Sequence, residues 1–84
     1  MNEQHEFLIK LANTRMPFGR YAGRLLIDLP EPYVVWFANQ GYPEGEIGEL
    51  LASLYEIKAN GLEKLLRPLV GESAEGHRER KKGR

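Results

Sequence analysis

Between residues 44 and 69, Ile47, Leu50, Leu51, Leu54, Ile57, Leu62 and Leu65 recur at helical spacing. At about 100° per residue they form one broad apolar stripe, with Glu49, Glu56, Glu63 and Arg67 on the opposite side. Such a stripe must be covered, and a chain of 84 residues has material for only one modest core around it. The stripe keeps its phase across Asn60 and Gly61. That predicts a long amphipathic helix, kinked there or split into two nearly collinear pieces, and stopped by Pro68. Glu63 and Arg67 stand in the favourable i, i+4 order.

The rest of the chain supplies the cover. Phe7, Leu8 and Leu11 predict a short amphipathic helix over residues 3–12, ended by Asn13 and Thr14. The run Asp28, Leu29, Pro30, Glu31, Pro32 predicts a helix start, since proline in a first turn lacks only a donor the helix does not use. That helix carries Tyr33, Trp36 and Phe37 to Gln40 and stops at Gly41. Between these helices, Gly19 and Gly23 bracket a loop flanked by apolar stretches, the pattern of a short β-hairpin with Pro17 at an edge. The expected fold is α+β: N-terminal helix, short β-hairpin, short helix, then the long amphipathic helix. It forms a single domain over residues 3–70, with Trp36, Phe37, Leu51, Leu54 and Ile57 at its centre. Residues 71–84 hold no large apolar side chain, so a disordered basic tail is expected there.

Several chemistries are closed off. The chain has no cysteine, hence no disulfide, thiolate metal site or cysteine nucleophile. No apolar run approaches the roughly 18–20 residues of a membrane span. The first ten residues, with Glu3 and Glu6, do not resemble a secretion signal. A cytoplasmic protein with no membrane partner is therefore expected. His5 and His77 lie near opposite ends, without metal-ligand spacing, and Ser53 and Ser73 have no neighbouring base. Asp28 with Glu56-x-Lys58 is the residue set of a metal-dependent nuclease. On a helix, however, Glu56 and Lys58 point about 200° apart and cannot converge on one ion. The row Glu49, Glu56, Glu63 is straight and cannot surround an ion either. Neither an enzyme nor a metal or other cofactor is expected. Lys58 projects toward the apolar stripe, either as a snorkelling stem or as a carboxylate's partner.

Charge is neutral overall, with twelve basic and twelve acidic side chains, but it is sorted along the chain. Residues 1–27 carry four bases against two acids, residues 28–63 one base against seven acids, and residues 64–84 seven bases against three acids. In the basic front, Phe18, Arg20, Tyr21 and Arg24 interleave aromatic and cationic side chains on a glycine-flanked loop. That composition suits a phosphate backbone and a stacked base. The bland alternative has the same arginines pairing with the acidic body, through Asp28 or Glu31.

The stretch from Met16 through Pro17, Phe18, Gly19, Arg20, Tyr21, Ala22, Gly23 and Arg24, continuing to Asp28 and on to Trp36 and Phe37, resembles a small bacterial family. Its members are labelled quorum-sensing-regulated virulence factors and have no known function. The runs from Gly45 to Leu51 and from Tyr55 to Glu63 fit the same family, so the resemblance covers about residues 14–69. The front half is also similar to the C-terminal module of exodeoxyribonuclease-X-type exonucleases. That similarity puts the hairpin's basic position on Arg20 and its aromatic on Tyr21, while Ala22 stands where those modules usually have a second lysine. It implies an accessory module without the catalytic domain. Two functions follow as expectations. One is weak binding of single-stranded nucleic acid through Arg20, Tyr21 and Arg24. The other is a protein-interaction or regulatory module, homodimeric or with another partner.

Overall fold

Glu3 and Glu6 near its start and Lys10 in its last turn suit the helix dipole, and Glu3–Asn13 forms α1. The computed structural model describes residues 3–72. Glu31–Gln40 forms α2, with Pro30 at its N-cap and Pro32 in its first turn. Gly41, at φ +106°, ends α2, and its N–H donates to the Phe37 carbonyl at 2.9 Å. Glu46–Ala59 forms α3. Three single 3-10 turns complete the described chain, at Leu26–Asp28, Glu63–Leu65 and Arg67–Leu69.

The architecture is helical, which corrects the α+β expectation: among the described residues there is no strand and no sheet. The predicted β-hairpin is a compact double turn pinned at its base by one antiparallel bridge, Arg15 to Leu25. Met16 N–H donates to the Arg24 carbonyl and Gly23 N–H to the Met16 carbonyl, both at 2.8 Å. Pro17 then has no donor to extend a ladder, and Gly19 and Gly23 take positive φ. Beyond them Ala22 N–H closes on the Gly19 carbonyl and Arg24 N–H on the Tyr21 carbonyl. On the other side Leu26 enters a 3-10 turn at once, placing Leu26 and Ile27 in the core.

The long helix is also shorter than its periodicity suggests. Gly61, at φ +69°, turns the chain left-handed, Leu62 N–H reaches back to the Ile57 carbonyl and Gly61 N–H to the Lys58 carbonyl. This paired closure is a Schellman stop. Asn60 adds a bond from its own side-chain amide to the Glu56 carbonyl at 2.8 Å. Past this point the stripe loses its partner surface, and Leu62 and Leu65 are exposed while Leu66 is buried.

The core joins Leu11 and Ala12 of α1, Met16 under the double turn, Leu26, Ile27 and Leu29, Val34 and Phe37 of α2, Leu50, Leu51 and Leu54 of α3, and Leu66. α2 packs on α3, and α1 closes the far side against the first and last 3-10 turns. Trp36, expected at the centre, is instead 52% exposed, and Ile57 lies at the core's edge. On α2, Val34 and Phe37 define the buried direction, and Trp36 points about 130° away from it. The basic tail expected over residues 71–84 lies outside the described residues, apart from Gly71 and Glu72. Among the described residues, no helix is long and apolar enough to cross a membrane.

Candidate nucleic-acid interface

The double turn is held rigidly, and the hold comes from residues around it. Met16 is buried beneath it. Arg15, the basic residue nearest its base, is engaged in structure: its Nη1 donates to the Gly23 carbonyl at 2.6 Å. Thr14 Oγ1 donates to the Lys10 carbonyl, fixing where α1 ends and the turn begins. Gly19 sits over the Tyr33 hydroxyl, only 3.1 Å from where a Cβ would stand, so the turn leans directly on α2.

Arg20 and Arg24 remain exposed above this support. Each guanidinium lies over the Tyr21 ring, with Cζ at 5.5 Å from the centroid for Arg20 and 5.1 Å for Arg24. Neither forms an ion pair among the described residues. Of the two carboxylates expected to compete for them, Asp28 is bound at 3.0 Å by Arg67, and Glu31 forms no ion pair among the described residues. Lys10 pairs with Glu46, and Lys58, its side chain 10% exposed, sits 3.7 Å from Glu63. Lys58 is thus a covered stem with a carboxylate partner, and Arg67, in a separate 3-10 turn from Glu63, reaches across the fold to Asp28 instead.

Tyr21 begins a chain of aromatic contacts. Its ring meets Tyr33 edge-on at 4.7 Å. Tyr33 lies nearly parallel to Trp36, at 6.5 Å and 7°, and edge-on to Phe37 at 5.1 Å. Arg20, Tyr21, Pro30, Pro32, Tyr33 and Trp36 line one open groove of about 440 Å³. Its lining is aromatic and prolyl apart from Arg20, which supplies a cationic rim. Sequence reasoning found the rim and assigned Trp36 to the core; only the angular offset of Trp36 from Val34 and Phe37 would have shown otherwise.

The family described as "Putative quorum-sensing-regulated virulence factor" matches residues 4–69. The chain belongs to that family. Two relatives are 52% identical to it over 67 residues, 79% of this chain and 93% of the relative. Both bear the name "Uncharacterized protein YpeB", one from Escherichia coli strain K12 and one from Escherichia coli O157:H7. No solved structure matches. The family's matched span takes in the double turn, the aromatic groove and all three α-helices except the first residue of α1. The nuclease-like set does not assemble: Asp28 is held by Arg67, and Lys58 is turned to Glu63. Among the described residues, no three His, Cys, Asp or Glu side chains group as a metal site.

Proposed function

We propose that this chain is a non-catalytic accessory module, acting in the cytoplasm, that binds single-stranded or frayed nucleic acid weakly through Arg20, Tyr21 and Arg24. The observation that carries the reading is the pair of guanidinium groups left without carboxylates on a rigid, exposed turn beside an aromatic groove. The family description adds a link to virulence regulation. Two or three phosphate contacts give a shallow salt dependence, near −0.7 in slope per contact on a single strand. Titration of a labelled oligonucleotide from about 50 mM salt upward tests it. Arg20→Ala with Arg24→Ala should flatten the slope by roughly one to two units while the domain stays folded.

A second reading rests on a different observation. Leu62 and Leu65, at 44% and 63% exposure, present apolar surface just past the end of α3. That surface favours a protein-interaction module, homodimeric or with another partner. Mass in solution, compared between the wild type and Leu65→Ser, tests it.

A further inference from the structure

We infer that Trp36, not Tyr21, is the surface on which a nucleobase stacks, and that Tyr21 is a positioning residue holding the two guanidinium groups. The inference rests on the nucleic-acid reading above and assigns roles within the same groove. Stacking needs an open ring face. The Tyr21 ring already carries Arg20 and Arg24 over it, at 5.5 and 5.1 Å, and meets Tyr33 edge-on at 4.7 Å. The ring is half-buried in the support of the turn. What it contributes is order. Two long side chains that would otherwise sample many rotamers are gathered onto one aromatic post, so less freedom is lost when phosphates bind them.

Trp36 has the opposite character. It is about half exposed, on the side of α2 turned away from the core. It is also backed: Tyr33 lies nearly parallel to it and Phe37 meets it edge-on at 5.0 Å, so the indole has little freedom to lose. Tyr33 and Pro32 share its groove with Arg20. A strand whose phosphates sit on the cationic rim therefore has an indole within the same groove to receive a base. Stacking on an aromatic side chain is tolerant of base identity, which fits a module without strong sequence preference. An acidic peptide would use the rim and leave the indole idle.

The experiment compares a fluorescein-labelled twelve-nucleotide oligothymidylate with an abasic twelve-mer of the same backbone, using the full chain. The wild type should prefer the oligothymidylate by roughly 5- to 150-fold, the span of one base–aromatic stack. Trp36→Ala should lose that preference with the salt slope unchanged, and Trp36→Phe should recover part of it. Tyr21→Leu should weaken both probes alike, and Tyr21→Phe, which restores the ring under the guanidinium groups, should recover that loss. Circular dichroism checks that each variant is folded. If Trp36→Ala keeps the full preference, or Tyr21→Leu abolishes it, the role assignment is wrong and the nucleic-acid reading stands. Equal binding of both probes by the wild type, or equal competition by polyglutamate, overturns the assignment too. A wild type that binds neither probe overturns the nucleic-acid reading itself.

Discussion

The side-chain amide of Asn13 donates to the carbonyl of Leu69 at 2.9 Å, joining the end of α1 to a segment 56 residues later. The same amide group donates to the Ile9 carbonyl at 2.8 Å, and its oxygen accepts from Gly71 N–H at 2.6 Å. One side chain thus ends a helix and clamps the last 3-10 turn. Asn13→Ala should cost about 1–3 kcal/mol, the scale of partly buried hydrogen bonds left unmade. Asn13→Asp keeps the acceptor toward Gly71 but sets a carboxylate oxygen against the Ile9 and Leu69 carbonyls at a helix C-terminus, so it should cost at least as much as alanine. Urea unfolding checks both values.

Gly48, the one glycine within α3, should resist replacement. A Cβ there would collide with the Pro43 backbone carbonyl, which rests against the helix at that point. Because the obstacle is main chain, Gly48→Ala must push the link between α2 and α3 outward. A loss of at least 1–3 kcal/mol is expected, against the gain in helix propensity that alanine brings elsewhere. Thermal unfolding of the variant measures it.

The Asp28–Arg67 pair should matter much less. Its side chains are 44% and 57% exposed, so water screens the attraction. A double-mutant cycle on Asp28→Asn and Arg67→Gln should give a coupling of at most about 1 kcal/mol, shrinking as salt is added. A larger value would mean that Arg67 is more enclosed than the fold suggests.

Tyr42 should make stability fall in alkali. Burial, then the nearby Tyr55 and the Glu56 carboxylate, push its phenol above the ordinary value of 10.0. The folded state holds this proton more tightly than the unfolded chain does. Its contribution is fully present below pH 10 and is lost as pH rises through the raised value. Tyr42→Phe should flatten the decline of unfolding free energy above that pH.

Local chemistry made α1 and α2 legible in the sequence. Asn13 ends the first, and Pro30, Pro32 and Gly41 frame the second, all through backbone effects that need no knowledge of the fold. Glycine placement also located the turn at residues 16–24. It did not reveal that the flanking residues would be drawn into a 3-10 turn to bury Leu26 and Ile27 instead of extending a ladder. Periodicity overreached at Leu62 and Leu65: the count stays in phase through Gly61, but a left-handed residue redirects everything after it. Arg20, Tyr21 and Arg24 are close in sequence, and the structure does bring them together. The Arg67 partner for Asp28 depends on tertiary approach and has no local signal. Trp36 was obscured by its chemistry, since an indole in a small domain is usually core, whereas its angle on α2 points outward.

The Asn13 clamp bears on the speed of folding as well as its equilibrium. The bridge from Arg15 to Leu25 and the packing of α2 on α3 join neighbours along the chain, and neighbours meet early. Asn13 and Leu69 are 56 residues apart, so their contact should form late, on the native side of the barrier. Loosening the clamp should steepen the escape from the folded state while the chain collapses as fast as before. This amide therefore bears on how long the small fold lasts more than on how fast it forms.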